Sequence, residues 1–223
     1  IAYLTRKYKA DAGVVISASH NSMEYNGIKF FSKDGYKLSD DIENEIEEYI
    51  LDGKSIGELP VGAGVGKVTR VDTGRRDYVD FVKSTVDTSF AGLKIAIDCA
   101  NGASSGCAKL AFKELGAEAV LINNVPNGIN INDNCGSTHM EGLQKFVVEQ
   151  KCDFGLALDG DADRLLAVDE NGEIIDGDKI MILCAKYLKS RGELAKNTVV
   201  ATVMSNLGFF KTLDAEGISY EQT

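Results

Sequence analysis

The sequence predicts an α/β fold, and three observations along its 223 residues support this prediction. Short segments rich in valine, isoleucine and alanine suit strands, and amphipathic helical segments separate them. Strands and helices that alternate at this spacing form βαβ units with parallel strands. Polar loops follow two of the predicted strands, and loops at strand ends are where a rigid scaffold presents functional groups.

The first strand is predicted at residues 13–16, whose sequence GVVI suits a strand that is covered on both faces. A polar loop with the sequence SASHN follows at residues 17–21. An Asn-Gly turn signal then leads into a short hairpin, for which we expect strands at residues 28–31 and 36–38 and a turn at residues 33–35.

Residues 40–51 are predicted to form an amphipathic helix with an acidic outer face, because isoleucine recurs at every fourth position. Asp40 and Glu43 have the spacing of a capping box at its start. The glycine-rich segment 53–66 has little periodicity, which predicts a domain boundary or an exposed excursion.

From Arg75 onward, strands and helices alternate and predict a parallel sheet. The Asn101–Gly106 turn has no P-loop lysine, so we interpret it as a strand-to-helix turn and not as a nucleotide site. The predicted elements are a helix from Arg75, strand 93–98, a helix that ends at Lys113, strand 119–121, helix 142–149, strand 154–159, helix 179–189, strand 199–203, helix 207–215 and strand 218–221.

Composition narrows the range of partners. The chain has 24 Lys and Arg against 34 Asp and Glu, a formal charge of -10, which argues against a nucleic-acid partner. No apolar run is long enough for a membrane span. The five cysteines are odd in number and include no C-x-x-C pair, so reduced thiols in a cytoplasmic protein are expected. The chain starts at Ile and its last α/β repeat stops early, so we expect a piece of a longer protein.

The stretch LALDGDADRLLAVDENG carries the strongest chemical signal. In an extended segment, Asp159, Asp161 and Asp163 would point to the same side. Two such charges about 4 Å apart repel by roughly 4 kcal/mol at an effective dielectric constant near 20. A divalent cation would relieve this repulsion, and an all-oxygen ligand set suits Mg²⁺. Arg164 would add a positive charge at the rim.

Three other interpretations of this stretch compete with a Mg²⁺ site. It could be an exposed acidic turn. It is not an EF-hand, because Arg164 occupies the sixth position, where that loop needs glycine. An aspartyl phosphatase would use Asp159 as its nucleophile but would leave the Ser-His loop without a purpose.

Ser19 and His20 are ambiguous when each is taken alone. Ser19 fits an ordinary turn serine as well as a nucleophile, and His20 fits a hydrogen-bonding loop residue better than a catalytic base. The G-x-S-x-G pattern of hydrolases is absent. A serine that carries a phosphoryl group beside a bound cation would make sense of both loops.

Two long motifs, SASHN at residues 17–21 and DGDADR at residues 159–164, resemble the motifs of the α-D-phosphohexomutase family. The similarity extends over nearly the whole chain with the motifs in family order. Within the family, the chain is most similar to bacterial members that act on glucosamine phosphates. That closer similarity depends on GIKFF at residues 27–31, NIN at residues 130–132 and CGSTH at residues 135–139.

The resemblance implies a site. By it, Ser19 is the phosphoserine that donates its phosphoryl group to the substrate and takes one back from a bisphosphate intermediate. Asp159, Asp161 and Asp163 would be Mg²⁺ ligands, together with an oxygen of the Ser19 phosphate.

Three further residues match the family's motifs. Lys29 corresponds to the lysine beside the phosphoserine and is a candidate for proton transfer or charge stabilisation. Arg164 would steady the phosphoserine charge as a planar, multi-donor cation. His20 belongs to the motif, and its role stays open.

The resemblance also implies three-layer α/β/α domains with mostly parallel, mixed sheets. Residues 1–70 would be the C-terminal part of domain 1, residues 71–175 domain 2 with the metal loop, and residues 176–223 the start of domain 3. The chain departs from the family pattern at Ser22, where proline is usual, and at Tyr25, where aspartate is frequent. Both positions bear on loop stiffness more than on chemistry.

The implied activity is the interconversion of glucosamine 6-phosphate and glucosamine 1-phosphate for UDP-N-acetylglucosamine synthesis. A family member acting on glucose or mannose phosphates, or a non-catalytic Mg²⁺-binding relative, is the alternative. The implied cofactors are one Mg²⁺ per chain and a hexose 1,6-bisphosphate activator. The expected partner is a phosphosugar, with no nucleic acid or membrane. The one protein partner considered is a second copy of the chain in a homodimer.

Overall fold

The computed structural model describes residues 1–223 and confirms the α/β class. The seven helices are α1 (Ala2–Lys7), α2 (Asp40–Leu51), α3 (Gly74–Ser84), α4 (Ala108–Glu114), α5 (Glu141–Gln150), α6 (Gly177–Ser190) and α7 (Leu207–Ala215). The nine strands are β1 (Ala12–Ser17), β2 (Gly27–Ser32), β3 (Lys94–Asp98), β4 (Glu118–Ile122), β5 (Phe154–Leu158), β6 (Leu165–Asp169), β7 (Ile174–Ile175), β8 (Thr198–Ala201) and β9 (Ser219–Gln222). They form three separate sheets.

The central sheet has five strands in the order β4-β3-β5-β6-β7. Strand β3 is parallel to both β4 and β5, whereas β6 and β7 are antiparallel additions. The sheet is therefore mixed, as the family resemblance implied, and not wholly parallel, as the alternation of strands and helices predicted. Strands β5 and β6 pair directly across the aspartate loop, with Leu158 opposite Leu165, so this loop closes a hairpin at the edge where β3 and β4 also end.

Apolar side chains cover the central sheet on both faces. Helix α5 packs on one face and helix α4 on the other, which gives the three-layer arrangement. One buried cluster contains Ala96, Met140, Leu143, Val147, Cys152, Ala157 and Val168. The opposite cluster contains Ile95, Ile97, Cys99, Ala108 and Ala117. Successive β3 residues alternate between these clusters because side chains alternate across a strand.

Strands β1 and β2 form a two-stranded antiparallel sheet. The expectation of a first strand covered on both faces is wrong in this structure, because Val14, Ile16 and Ile28 are 48%, 70% and 61% exposed. Strand β1 has β2 as its single neighbour, so nothing covers the face that carries these side chains. The expected hairpin partner at residues 36–38 is reduced to one bridge, between Phe31 and Lys37.

Helix α2 begins and ends at the predicted residues. The predicted capping box is wrong, because Ser39 is the N-cap residue and no side chain caps the helix. Helix α2 contains no buried residue, so its isoleucine stripe has no partner within this chain. The segment that follows, residues 52–73, is exposed throughout and contains a single 3-10 turn at Gly62–Gly64.

Helix α1 attaches the β1–β2 region to the central unit through α3. The Tyr3 ring stacks on Phe81 with centroids 4.0 Å apart. Lys7 pairs with Asp77 at 2.8 Å, and the Tyr8 hydroxyl also donates to Asp77. These contacts join the β1–β2 region to the central unit where α1 packs on α3. The two regions meet a second time at the candidate site.

The last region pairs β8 with β9 in parallel and packs α6 and α7 around a small core. That core consists of Ala185, Ala201, Phe209, Leu213 and Ile218. The Asn206 side chain accepts from the Phe209 N–H at 3.0 Å and caps the N-terminus of α7. No helix in the structure combines the length and the apolar character that crossing a bilayer requires. All five cysteines are unpaired.

Candidate functional site

Three loops meet at the candidate site. The first follows β1 and carries Ser19, the second joins β5 to β6 and carries the aspartates, and the third lies between β4 and α5. The Ser19 hydroxyl lies 3.4 Å from Asp161 Oδ1, although 142 positions separate the two residues in the chain. The structure thus brings the two predicted motifs together.

The Ser19 backbone is in the left-handed region, with φ at 54°. Few residues other than glycine adopt this conformation, so surrounding contacts must hold it. The Ser19 N–H donates to Ser17 Oγ at 3.0 Å, and the Asn21 N–H donates to the Ala18 carbonyl at 2.9 Å. Ala18 itself is buried. These bonds shape a tight turn that directs the Ser19 hydroxyl toward the aspartate loop.

The aspartate loop is a turn and not the extended segment that we expected. The Ala162 N–H donates to the Asp159 carbonyl at 3.0 Å, and Ala162 has a φ of 62°. The carboxylates of Asp159, Asp161 and Asp163 nonetheless converge, with an oxygen of each within 4.8 Å of the others. Their convergence comes from the turn that closes the β5–β6 hairpin and not from strand alternation.

Asp159 is fully buried. Its Oδ1 accepts from the backbone N–H groups of Asp163 and Arg164 at 3.2 and 3.1 Å. Its Oδ2 is buried without a hydrogen-bond partner, and the Arg164 Nε is 4.0 Å away. Burial raises the pKa of the Asp159 carboxyl, and the neighbouring charges of Asp161 and Asp163 add to this effect.

Lys29, on β2, bridges the two loops. Its Nζ donates to Asp161 Oδ2 at 2.7 Å. This hydrogen bond raises the pKa of Lys29, and the charges of the three aspartates act in the same direction. Burial alone would raise the pKa of Asp161, but the hydrogen bond and charge of Lys29 outweigh it and lower that pKa.

The donor set fits a hard divalent cation. Three carboxylates meet at one point, the unpartnered Asp159 Oδ2 is buried among them, and a serine hydroxyl adjoins Asp161. Oxygen ligands of this kind suit Mg²⁺, which keeps some water and uses few protein carboxylates. An unpartnered buried carboxylate oxygen is costly unless a cation or a proton compensates it.

Arg164 and His20, the other two predicted site residues, make fewer contacts with the rest of the site. Arg164 follows the aspartate triplet, is more than half exposed, and donates no side-chain hydrogen bond to Ser19. His20 is partly buried, and its Nδ1 is buried without a partner. The structure does not give His20 a contact that would define its role.

Sequence reasoning missed Asn132, which lies in the third loop and is 6% exposed. Its Nδ2 donates to the carbonyls of Ser19 and Asn21 at 2.8 and 2.7 Å. The residue lies within the NIN stretch that supported the family resemblance, but nothing in the sequence indicates which distant loop its side chain contacts.

Sequence reasoning also missed two glycines that permit close backbone contact. A Cβ on Gly160 would lie 2.5 Å from the Ser19 carbonyl oxygen, and one on Gly102 would lie 2.6 Å from the Gly160 Cα. The Ala103 N–H donates to the Gly160 carbonyl at 2.8 Å. Glycine at both positions therefore allows the β3, β5 and Ser19 loops to pack backbone against backbone.

The match to known families covers most of the chain. Family models described as "Phosphoglucomutase/phosphomannomutase, alpha/beta/alpha domain" I, II and III match residues 1–56, 76–172 and 176–223, respectively. The first and third matches contain the β1–β2 and β8–β9 sheets, and the second contains the five-stranded sheet except for β7.

Curated relatives are similar over the whole chain. Phosphoglucosamine mutases from Clostridium acetobutylicum and Clostridium novyi are 58% and 59% identical over 223 residues. A third, from Caldanaerobacter subterraneus, is 59% identical. In each case the match covers 100% of this chain and 50% of the relative. The chain therefore spans about half the length of the curated relatives it matches.

Solved structures share the fold. A phosphoglucomutase/phosphomannomutase family protein from Burkholderia thailandensis matches with a TM-score of 0.71 and 26% identity, over 95% of this chain and 44% of that one. N-acetylphosphoglucosamine mutase from Aspergillus fumigatus matches with a TM-score of 0.59 and 18% identity, over 100% and 58%. Together with the family models and curated relatives, these matches show that the chain belongs to the phosphoglucomutase/phosphomannomutase family of α-D-phosphohexomutases.

Proposed function

We propose that the complete protein containing this chain is a phosphoglucosamine mutase that interconverts glucosamine 6-phosphate and glucosamine 1-phosphate. The observation that carries the proposal is the position of the Ser19 hydroxyl, 3.4 Å from a carboxylate of the aspartate triplet. The curated relatives, 56–59% identical over the chain, carry this name and support the choice of sugar.

In the proposed reaction, Ser19 carries a phosphoryl group. The bond between phosphorus and Ser19 Oγ breaks while a hydroxyl oxygen of the sugar monophosphate forms a new bond to phosphorus, and the hydroxyl proton ends on Ser19 Oγ. The product is a sugar bisphosphate. After the bisphosphate reorients, its other phosphoryl group returns to Ser19, so the sugar leaves as the isomeric monophosphate.

Asp159, Asp161 and Asp163, with an oxygen on Ser19, would hold one Mg²⁺. The bound ion would supply positive charge for the transferring phosphoryl group. Lys29 holds Asp161 on the Ser19 side of the cluster and contributes a further positive charge there. Arg164 is exposed at the rim, where its guanidinium can bind phosphate oxygens. We assign no role to His20.

The remaining expectations extend this proposal. A hexose 1,6-bisphosphate would load Ser19 and act as activator, since it is the reaction's own intermediate. The solved Aspergillus fumigatus enzyme is described in complex with GlcNAc-6P and magnesium, which supports an amino-sugar phosphate substrate and Mg²⁺ here. Five unpaired cysteines suit a reducing compartment, so we place the reaction in the cytoplasm. A homodimer stays a prediction.

Peptide mass mapping of the complete protein tests the proposal. We expect one phosphoryl group on Ser19 after exposure to glucose 1,6-bisphosphate, and its loss on addition of glucosamine 6-phosphate when Mg²⁺ is present. Ser19→Ala should abolish labelling and turnover. Ser22→Ala is the matched control, because Ser22 is an exposed serine of the same loop. An unlabelled Ser19 would contradict the mechanism and favour a non-catalytic relative.

Discharge rates with three sugars address specificity. Glucosamine 6-phosphate should discharge the phosphoserine faster than glucose 6-phosphate or mannose 6-phosphate. The opposite order would favour a phosphoglucomutase or phosphomannomutase. Label retained in Ser19→Ala but lost in Asp159→Asn would instead indicate an aspartyl phosphatase. The full burial of Asp159, with two backbone N–H groups on its Oδ1, argues against that role.

A further inference from the structure

We propose that Asn132 is a positioning residue that holds the Ser19 loop against the aspartate loop during phosphoryl transfer. The inference rests on the proposed function and adds to it a residue that touches neither the metal ligands' carboxylates nor the transferring group. Its side chain acts through the backbone on both sides of Ser19.

The Asn132 side chain donates two hydrogen bonds to the turn that carries Ser19. A single amide nitrogen, Asn132 Nδ2, donates to the carbonyl of Ser19 at 2.8 Å and to the carbonyl of Asn21 at 2.7 Å. Both distances are short for N–H···O hydrogen bonds, and the residue is 6% exposed, so water competes poorly for these carbonyls. The two acceptors belong to the turn that presents the Ser19 hydroxyl.

Asn132 is itself firmly attached to the central unit. Its N–H donates to the Ala100 carbonyl at 2.9 Å, and the Ala100 N–H donates to the buried Asp98 carboxylate at 2.9 Å. Asp98 also accepts from Gly136, at the far end of the same loop. A continuous chain of hydrogen bonds therefore links strand β3 to the Ser19 turn through the Asn132 side chain.

The Ser19 turn needs this support. Ser19 is a non-glycine residue in the left-handed region, a conformation that persists when surrounding contacts over-determine it. The hydrogen bonds within the turn, from the Ser19 N–H to Ser17 Oγ and from the Asn21 N–H to the Ala18 carbonyl, do not involve the Ser19 carbonyl, and Asn132 supplies its partner. Gly160 packs closely on this same contact, because a Cβ there would lie 2.5 Å from the Ser19 carbonyl oxygen and 2.8 Å from Asn132 Nδ2.

An isosteric change tests the interaction directly. Asn132→Asp keeps the size of the side chain but replaces the donor with an acceptor, so the carboxylate would face two carbonyl oxygens. Asn132→Ala removes the donor without adding repulsion. Asn134→Ala is the matched control, because Asn134 lies in the same loop with a similar φ of 50°, is exposed, and donates from its side chain to its neighbour Asp133 alone.

The experiment uses the complete protein with glucose 1,6-bisphosphate, glucosamine 6-phosphate and Mg²⁺. We measure the fraction of Ser19 that carries phosphate, the rate of its discharge, and kcat and KM. For both Asn132 variants we expect kcat, per phosphorylated Ser19, to fall about 10- to 100-fold, because small misplacements of reacting groups have effects of that size. KM should change less than about threefold, and Asn134→Ala should stay within about twofold of the parent.

Hydrogen exchange of the peptide that spans residues 17–26 gives a second readout. It should become faster in the Asn132 variants and stay unchanged in Asn134→Ala. If Asn132→Ala does not fold, Asn132→Asp decides. Equal kcat values for the Asn132 and Asn134 variants would overturn the inference and leave the proposed function intact. Absence of phosphate on Ser19 in the parent protein would overturn both.

Discussion

The central five-stranded unit and the β1–β2 region each contribute half of the candidate site, but they are built very differently. The central sheet is covered on both faces and holds two buried apolar clusters. Within this chain, the β1–β2 sheet leaves Val14, Ile16 and Ile28 exposed on one face, and helix α2 has no fully buried residue. The central unit carries the aspartates, and the β1–β2 region carries Ser19.

This difference indicates how the site is held together. Within this chain, the turn that carries Ser19 takes part of its support from contacts outside its own region. Asn132, Gly160 and Asp161 supply those contacts from the central unit, and Lys29 returns one from β2. The central unit thus helps to position Ser19 and also carries the aspartate cluster.

The largest expected effect compares the two regions directly. Leu143 on α5 is fully buried, whereas Ile50 on α2 is 71% exposed. In the 223-residue chain, Leu143→Ala should lower the free energy of unfolding by about 2–5 kcal/mol. Ile50→Ala should change it by less than about 0.5 kcal/mol. Urea titration followed by circular dichroism measures both, and similar values for the two variants would contradict the comparison.

A smaller effect is expected at the backbone contact between the β3 and β5 loops. Gly102 has an ordinary negative φ of -108°, so alanine is permitted by its backbone but would collide with Gly160. Gly102→Ala should destabilise the chain by about 1–3 kcal/mol and displace the aspartate loop, which would weaken Mg²⁺ binding. Calorimetry and Mg²⁺ titration measure the two effects.

Gly142 provides the control for that substitution. It lies in helix α5, and a Cβ there would meet nothing within 4 Å. Gly142→Ala should therefore stabilise the helix by roughly 0.5–1 kcal/mol. If both glycine variants behave alike, the close packing of the two loops does not matter for stability.

The smallest expected effect concerns a surface cluster between α3 and α4. Glu114 pairs with Arg76 at 2.9 Å and with Lys83, and these hydrogen bonds lower the pKa of Glu114 from 4.5 to about 2. A lowered carboxyl pKa stabilises the fold above the unfolded value and loses that contribution as pH falls toward the folded one.

Glu114→Gln tests this pH dependence. The parent chain should exceed Glu114→Gln in Tm by at most a few degrees near pH 7, because the cluster is solvent-exposed. The difference should shrink between pH 4.5 and pH 2. A difference that stays constant over this range would show that the pairing does not depend on the Glu114 charge.

Much of this architecture could be predicted from local sequence. The predicted bounds of α2 and α7 are those of the structure, since isoleucine periodicity defines the first and the Asn206 cap starts the second. The Ser19 and aspartate loops were found because each follows a run of strand-forming residues. Their meeting was inferred through the family resemblance, because spacing along the chain contains no information about contacts 142 positions apart.

The remaining errors have physical causes. The sequence GVVI looks like a buried strand, but burial depends on what covers it, and β1 has one neighbour. The three aspartates were expected on an extended segment, whereas Ala162 adopts a left-handed conformation that closes a turn. Asn132 was missed because a buried amide that serves a distant backbone has the same local sequence as an ordinary loop asparagine.

The exposed segment 52–73 connects the two halves of the site along the chain, yet it contributes no buried residue. The Ser19 loop is instead held near the aspartates by noncovalent contacts, on one side at the site and on the other where α1 packs on α3. Covalent continuity through this segment is therefore not what aligns Ser19 with Asp161. A protease cut there should leave two fragments that stay associated, and an inserted peptide should be tolerated at the same place.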